Sequence, residues 1–348
     1  MTESSRHAAS LPRQPESHVP VLTPSRLAGL ADVPHALPYQ GSKRRLAHAI
    51  VPLLPADTDR LLEPFAGSAA VTIAARHLRI GRTAEISDLN VPLMRLWQRV
   101  LTEPGALADD YAQLWHAQQA DPRAYYDAVR DRFNTTGEPH CLLYLLARCV
   151  KAAVRYNREG GFNQGPDKRR LGARPEVMRV RLTETARVLA GCRAYAADYA
   201  DVLVQADPAD VVYLDPPYQG VSRARDHRYM AGLPREAFVA RLREAVAAGT
   251  SFVLSYDGLS RERTGDRAYG EPLPGDLGLL HLHVDAGTST QATLHGRRAR
   301  TLESLYLSPP WWPASAAPPP SPVSSARSAR ARRRSRRRRR GRRGGRVR

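Results

Sequence analysis

The sequence predicts an α/β fold built around a mainly parallel β-sheet, and two observations lead to that prediction. Between residues 31 and 308, short runs of strand-forming residues alternate with longer runs that have helical periodicity. Strands that alternate with helices usually form parallel sheets, because each crossover helix covers a face of the sheet. Residues 106–195 break this alternation and are helical and basic, so we interpret them as an inserted module.

The individual elements follow from local residue patterns. A predicted strand is a run of β-branched, aromatic and leucine residues that is bounded by turn-forming residues. Six segments fit this description, at residues 60–65, 84–87, 210–215, 251–257, 279–285 and 301–307. Three segments have helical spacing, at residues 69–78, 91–101 and 234–249. The last of these ends at Gly249, a residue type that commonly terminates helices.

The two ends of the chain differ in composition from its centre. Residues 1–30 are rich in Ser, Pro, Ala and Arg without periodicity, and residues 309–348 contain 14 arginines and no acidic residue. Both segments are predicted to be disordered. The basic tail is compatible both with a phosphate-binding arm and with a dispensable extension. The folded domain is therefore expected in residues 31–105 and 196–308, with the insert between them.

The distribution of charge indicates a nucleic-acid partner. The net charge is +19, and besides the tail, residues 151–181 carry nine Lys or Arg against three acids. Such concentration is typical of nucleic-acid binding. No apolar run reaches the ~18 residues that a membrane span needs, and no signal-peptide core begins the sequence. Three scattered cysteines suggest neither a disulfide framework nor a metal site, so a cytoplasmic protein is expected.

A ligand-binding turn is predicted where the strand at 60–65 meets the following helix, in the stretch EPFAGSAAV that begins at Glu63. Gly67 and the small residues after it let a ligand approach the backbone, and the helix N-terminus offers unpaired N–H groups. Asp88 ends the next strand, 21 residues after Gly67, where a carboxylate typically binds ribose hydroxyls. Together these features indicate a nucleoside ligand, and the missing phosphate-loop motif argues against a triphosphate.

A second site is predicted in the stretch VVYLDPPYQG, which ends a strand. The two prolines stop the strand and stiffen the turn, because proline has a fixed φ and no N–H. Asp215 and Tyr218 then lie at the carboxyl end of a strand, where ligands bind in open α/β sheets. The stretch YQGSK adds Tyr39 and Lys43 before a helix. Taken singly, each stretch is also compatible with a surface turn or, through Ser42, a helix cap.

These stretches follow one another in the order of a known family. Between Leu37 and Leu307 come Tyr-x-Gly-Ser-Lys, Glu-Pro-Phe-Ala-Gly-Ser, Ser-Asp-Leu-Asn, a basic insert with VRYNREGGFN, and Asp-Pro-Pro-Tyr. In this the chain resembles the Dam-type (D12 class) DNA adenine-N6 methyltransferases. The resemblance implies a Rossmann-like core that uses S-adenosyl-L-methionine, an inserted helical DNA-recognition module, and double-stranded DNA as the substrate.

The resemblance also implies roles for individual positions. The catalytic loop would be Asp215, Pro216, Pro217 and Tyr218. The methyl donor would be held by Tyr39, Gly41, Lys43, Glu63, Phe65, Gly67, Asp88, Asp198 and Asp215. DNA would be contacted by Arg155, Tyr156, Asn157, Arg158, Asn163, Lys168 and Arg169. No metal ligand is implied.

Two alternatives remain open from the sequence. An enzyme of the same fold could methylate cytosine N4 or an RNA nucleobase, because Asp-Pro-Pro-Tyr suits any exocyclic amine. The second alternative is a non-catalytic DNA-binding protein with an arginine-rich tail. The intact Asp-Pro-Pro-Tyr sequence argues against this alternative. We expect a monomer of bacterial or phage origin. No recognition sequence is implied, because the residues that follow Asn163 depart from the family pattern.

Overall fold

The computed structural model describes residues 19–24, 27–219, 233–262, 265–288 and 300–309. The strands within these ranges form one nine-stranded sheet. They are β1 (Val21–Leu22), β2 (Arg60–Glu63), β3 (Thr83–Asp88), β4 (Arg193–Ala196), β5 (Val211–Leu214), β6 (Phe252–Glu262), β7 (Gly265–Ala268), β8 (Leu280–Thr288) and β9 (Arg300–Leu307). The strand order is β1-β8-β9-β6-β5-β2-β3-β4, and β7 pairs with β6.

The direction of the strands confirms the prediction of an α/β fold with a mainly parallel sheet. β6, β5, β2, β3 and β4 run parallel to one another. β9 runs antiparallel between β6 and β8, and β7 is antiparallel to β6. All four residues of β5 are buried, as expected for a strand that is covered on both faces.

Nine α-helices lie in the described ranges. They are α1 (Ala47–Ile50), α2 (Ala70–His77), α3 (Val91–Thr102), α4 (Pro104–Ala117), α5 (Pro122–Thr136), α6 (Pro139–Arg148), α7 (Pro175–Val188), α8 (Tyr199–Val204) and α9 (Arg235–Ala247). Helices α4 to α7 each begin at a proline, whose fixed φ suits the first helical position and whose missing N–H is not needed there. None of the helices in these ranges has the length and apolar character needed to cross a membrane.

All six predicted strands and all three predicted helices are present, with small differences at their ends. The sequence missed β1, β4, β7 and α8, which have six residues or fewer, too few to display a period. β1 also departs from the disorder predicted for residues 1–30, because Val21 and Leu22 pair with β8. The rest of that segment outside 19–24 and 27–30, and residues 310–348 of the tail, lie outside the described residues.

Helices α4 to α7 occupy most of the segment that was interpreted as an insert. Their buried side chains belong to one cluster with those of α2 and α3, including Trp97, Tyr111, Tyr126 and Tyr144. α3 packs on β3 and β4, and α6 and α7 pack on α3. The helices therefore extend the layer that covers this side of the sheet. The segment closes with β4, which is part of the sheet itself.

Candidate active site

The sheet has a topological switch point between β2 and β5. After β2 the chain continues to β3 on one side, and after β5 it continues to β6 on the other. Ligands of open α/β sheets bind beyond the carboxyl ends of strands at such a point. A cavity of about 850 Å³ lies here, a size typical of small-molecule sites. The switch point therefore locates the candidate site independently of any motif.

The cavity brings together the residues that were predicted to bind the methyl donor and to form the catalytic loop. Its lining contains Tyr39, Gly41, Lys43, Glu63, Phe65, Gly67, Asp88, Asp198, Asp215, Pro216, Pro217 and Tyr218. These residues come from five separate parts of the chain, so their convergence is a property of the fold. In particular, the acidic loop after β5 faces the same cavity as Phe65.

The turn between β2 and α2 forms one wall of the cavity. Gly67 has a φ of +46°, and a Cβ built there would lie 3.1 Å from a ring carbon of Tyr39. Ala69 is also left-handed, with a φ of +49°. The indole N–H of Trp97 donates to the carbonyl of Gly67 at 3.0 Å and fixes the turn from below. Sequence reasoning missed Trp97, which reads only as an apolar position of α3.

Asp88 connects this turn to the end of β3. Its carboxylate accepts the backbone N–H of Gly67 at 3.2 Å and that of Asn90 at 2.9 Å. Burial raises the pKa of Asp88, and these two hydrogen bonds oppose the shift. A carboxylate that accepts two N–H groups still has lone pairs for further donors.

Glu63 ends β2 beneath the same turn. Its side chain is buried and accepts the backbone N–H of Thr72 at 2.8 Å. Burial raises the pKa of Glu63 to about 8, and the nearby charge of Asp215 acts in the same direction. Glu63 is consequently mostly protonated at neutral pH.

The loop after β5 forms an acidic corner, by which we mean Asp215, Tyr218, Lys43 and Glu303. The ammonium group of Lys43 lies 2.8 Å from a carboxylate oxygen of Asp215 and 3.7 Å from one of Glu303. It also lies 4.8 Å from the centre of the Tyr218 ring. Tyr218 in turn donates its hydroxyl hydrogen to Glu303 at 2.7 Å. The four side chains of the acidic corner thus hold one another in place in the wall of the cavity.

The ionisation of this corner follows from its burial and its one cation. Burial raises the pKa of Asp215 to about 6, and Lys43 opposes that rise. Burial and the neighbouring carboxylate of Glu303 raise the pKa of Tyr218 well above its ordinary value. At neutral pH Asp215 is therefore mainly a carboxylate and Tyr218 a neutral phenol. Glu303 had no signal in the sequence, since only the pairing of β9 with β6 brings it here.

Phe65 and Asp198 also line the cavity. The ring of Phe65 stacks on that of Tyr199, with centroids 5.1 Å apart. Asp198 caps α8 by accepting the backbone N–H of Ala200 at 2.8 Å. This cap gives Asp198 a structural role besides the predicted ligand contact.

The residues that were predicted to contact DNA divide into two groups. Arg155, Asn157, Arg158 and Asn163 are exposed on a short hairpin, residues 155–163, as Lys168 and Arg169 are just beyond it. The hairpin is closed by a bridge between Tyr156 and Phe162 and by the bond from the N–H of Asn163 to the carbonyl of Arg155 at 2.9 Å.

Tyr156 differs from the other predicted DNA contacts. It is only 5% exposed, and its hydroxyl donates to the side-chain oxygen of Asn90 at 3.2 Å. Its ring lines the cavity rather than the outer surface of the hairpin. Tyr156 is therefore not exposed in the way that Arg155 and Asn157 are, and its contact with DNA stays a prediction. Since Tyr156 lies at the base of the hairpin, the exposed residues adjoin the cavity.

One cluster of potential metal ligands lies away from the cavity, in the described part of the chain. Glu138, His140 and Cys141 place ligand atoms within 4.8 Å of one another. The carboxylate of Glu138, however, accepts two guanidinium N–H groups of Arg132, which lower its pKa to about 2. This acid is already neutralised, and we assign no metal role to the cluster.

Comparison with known proteins connects this geometry to a family. The chain is 27% identical to a DNA adenine methylase of Salmonella typhi over 226 residues. The aligned region covers 63% of this chain and 78% of the relative. A DNA adenine methylase of Vibrio cholerae is 27% identical over 232 residues, 63% of this chain and 79% of the relative. The retron Ec67 DNA adenine methylase of Escherichia coli is 28% identical over 190 residues, 53% of this chain and 63% of the relative.

The family model that matches is that of the D12 class N6 adenine-specific DNA methyltransferases, and the match runs over residues 39–262. This range contains the glycine turn, Asp88, the hairpin at 155–163 and the loop after β5. The chain therefore belongs to the D12 class of N6 adenine-specific DNA methyltransferases.

Proposed function

We propose that this protein transfers a methyl group from S-adenosyl-L-methionine to N6 of an adenine that is turned out of double-stranded DNA. Membership of the D12 class of N6 adenine-specific DNA methyltransferases supports this reaction. The observation that carries it is the position of the acidic corner and the glycine turn on one cavity.

The cavity has the features that the donor requires. The lack of a side chain at Gly67 keeps its backbone accessible beside Tyr39. Asp88 is suited to accept hydroxyl hydrogens of a ribose, and the stacked pair of Phe65 and Tyr199 offers an aromatic surface to a purine. When bound, the donor supplies a methyl group on a positively charged sulfur.

Asp215 has the geometry of an acceptor for the amino group of adenine. That nitrogen is a poor nucleophile, because its lone pair is delocalised into the ring. Asp215 would accept one N–H and the carbonyl of Pro216 the other, which lets the nitrogen rehybridise toward attack. Two prolines fix these acceptors in advance, so little reorganisation is required during the reaction. The Asp215 carboxylate would also receive the proton that the nitrogen loses.

Tyr218 is positioned to hold the extruded base. The target nitrogen is not accessible inside a duplex, so the base must leave the stack at a cost of a few kcal/mol. Stacking on an aromatic side chain recovers roughly 1–3 kcal/mol per base. The hydroxyl of Tyr218 is held by Glu303, and its ring meets Tyr256 edge-on at 6.3 Å, so its orientation is fixed.

The DNA itself would be bound by the basic surface beside the cavity. Arginine pairs well with guanine and asparagine with adenine in the major groove, so Arg155, Asn157, Arg158 and Asn163 are suited to read bases or hold phosphates. We assign residues 106–195 to target recognition and residues 31–105 and 196–308 to catalysis. The enzyme would act as a monomer in the cytoplasm, where DNA and donor are both present.

Methylation of defined DNA by the purified protein tests the proposal. The protein is incubated with unmethylated duplex DNA and methyl-labelled S-adenosyl-L-methionine, and the digested DNA is analysed for modified nucleosides. We expect N6-methyladenine. We further expect Asp215→Ala to abolish transfer while it leaves DNA affinity largely intact, because Asp215 contributes to chemistry rather than to phosphate binding.

A matched control is Asp207→Ala, which removes an acid with an 81% exposed side chain before the opposite end of β5 and should keep full activity. Detection of N4-methylcytosine instead would show that the enzyme methylates N4 of cytosine and not N6 of adenine. Wild-type protein that binds DNA but neither binds the donor nor labels DNA would favour the non-catalytic alternative.

A further inference from the structure

Strand β6 contains an irregularity at Asp257 and Gly258. Its register with β9 shifts between Ser255 and Gly258, which marks a β-bulge. Asp257 has a φ of +59°, and a Cβ at Gly258 would lie 2.2 Å from the carbonyl oxygen of Leu302. Aspartate tolerates the left-handed region better than most residues, but such a conformation still costs of order 1–3 kcal/mol. The surrounding contacts must therefore hold it in place.

The carboxylate of Asp257 is directed at the residue that follows the catalytic loop. Although only 4% exposed, Asp257 accepts the backbone N–H of Gln219 at 3.0 Å and its side-chain amide at 2.6 Å. The same amide group also donates to the carbonyl of Glu271 at 3.1 Å. A Cβ at Gly270 would lie 2.8 Å from the Asp257 carboxylate, so this close approach requires glycine. Three separate parts of the chain are thus joined at Asp257.

The bulge lets two consecutive residues of β6 contact two consecutive residues of the loop. In a regular strand, neighbouring side chains point to opposite faces of the sheet. Here the ring of Tyr256 meets that of Tyr218, and Asp257 holds Gln219. The left-handed conformation of Asp257 interrupts the alternation, and a bulge commonly re-aims a side chain in this way.

Besides the contacts of the Tyr218 side chain with Glu303 and Tyr256, the described part of the loop has few backbone hydrogen bonds that could attach it to the sheet. Pro216 and Pro217 carry no N–H, so neither can donate a backbone hydrogen bond. At its start the loop is fixed by β5, whose Leu214 lies opposite Leu254 of β6. The N–H of Gln219 is the second backbone donor after the prolines, and its partner is Asp257.

We infer that Asp257 is a positioning residue, which fixes the carboxyl end of the catalytic loop and thereby the placement of Asp215 and Tyr218. The inference rests on the proposed function, because it concerns the rate of that methyl transfer. Misplacement of a reacting group by about 1 Å can reduce a rate 100-fold. Loss of the attachment should accordingly lower kcat and leave the binding of both substrates nearly unchanged.

Asp257→Asn is the decisive variant, because asparagine keeps the size of the side chain and its tolerance of a positive φ. One of the two donors of Gln219 would then face an amide NH₂ group instead of an oxygen. We expect kcat to fall about 10- to 100-fold, on the scale expected for misplaced reacting groups. The dissociation constants of DNA and donor should change by less than about 3-fold. Exchanging donor and acceptor, by adding Gln219→Glu to Asp257→Asn, should recover part of kcat.

Asp276→Asn is the matched control, because its side chain is 61% exposed and paired with Arg243 on the surface. The inference is overturned if Asp257→Asn has the same kcat as the control. It is also overturned if the variant has a lower Tm and a smaller fraction of active sites, but each active site turns over at the wild-type rate. Should Asp257→Asn not fold, Gln219→Met decides, since it removes only the side-chain donor. Its kcat should fall, and an unchanged kcat again overturns the inference. Failure of the wild-type protein to methylate DNA would instead refute the proposed function.

Discussion

Glu63 ends β2 and Asp215 directly follows the neighbouring β5, so both line one cavity, yet they differ in ionisation. Glu63 is 3% exposed and its pKa is about 8, whereas Asp215 has Lys43 at 2.8 Å and a pKa of about 6. Environments that separate the pKa values of two nearby acids are typical of active sites. Near pH 7 the cavity thus holds one neutral and one charged carboxyl group. The charged one is the acid that can accept an amino hydrogen.

We expect Glu63→Gln to change how stability depends on pH. The folded protein keeps the Glu63 proton up to a pKa of about 8, whereas the unfolded chain releases it near the ordinary value of 4.5. The wild-type contribution is therefore fully present below pH 4.5 and is lost as the pH rises toward 8. Glutamine cannot ionise, so the variant should gain stability relative to wild type, by at most about 1.4 kcal/mol per pH unit.

Denaturant unfolding at several pH values between 5 and 8.5 measures this difference. Glu176→Gln, at an exposed position of α7, controls for the loss of a carboxyl group elsewhere. Free-energy curves of wild type and Glu63→Gln that stay parallel over the whole range would contradict the assigned ionisation.

At the scale of elements, the β2–α2 turn illustrates what a sequence pattern can and cannot predict. The run of small residues around Gly67 predicted a close approach of ligand to backbone, and the positive φ of Gly67 agrees with it. The support from the indole of Trp97 was not predictable, because Trp97 lies 30 residues further along the chain than Gly67. Glu303 and Asp257 were not predicted for a similar reason. The antiparallel pairing of β9 with β6 brings Glu303 to the site, and the bulge in β6 brings Asp257 there.

Gly67→Ala should weaken donor binding and lower Tm. A left-handed conformation costs a residue with a Cβ about 1–2 kcal/mol, and the new methyl group would press on the Tyr39 ring. If part of this strain is relieved by movement of the turn, donor affinity should fall roughly 3- to 10-fold, since 1.4 kcal/mol corresponds to a factor of ten. Isothermal calorimetry with S-adenosyl-L-methionine measures the affinity.

Gly105→Ala provides the comparison for this variant. Gly105 lies in α4, and a Cβ there meets nothing within 4 Å. Alanine in a helix is favoured over glycine, so this variant should keep donor affinity and Tm or raise Tm slightly. Equal effects of the two substitutions would show that the turn has no special requirement for glycine.

At the scale of the whole molecule, exposed positive charge lies beside the cavity. The hairpin of residues 155–163 presents Arg155 and Arg158 to solvent, and its base at Tyr156 lines the cavity wall. Composition alone predicted a basic segment and a nucleic-acid partner. It did not predict that the segment would adjoin the acidic corner, because that proximity depends on how α3 and α6 pack.

Replacing both Arg155 and Arg158 by alanine should weaken DNA binding and its dependence on salt. Each phosphate contact contributes a slope of about −0.9 to log K against log salt concentration, so the slope should become shallower by about 1–2. Fluorescence anisotropy between 50 and 300 mM salt measures it. Arg82→Ala, which removes an exposed charge just before the amino end of β3, should leave the slope unchanged. A slope as steep as wild type in the double variant would place the phosphates elsewhere.

The position of β9 has a consequence for how the protein folds during its synthesis on the ribosome. β9 lies between β6 and β8, and Glu303, the acceptor for the Tyr218 hydroxyl, is part of it. A nascent chain that has emerged only to residue 299 would contain every motif of the family but leave the edges of β6 and β8 without this partner. Unpaired strand edges invite association with other chains. Synthesis must therefore proceed past residue 307 before the sheet can be completed. We expect activity only after β9 has left the ribosome and paired with β6 and β8.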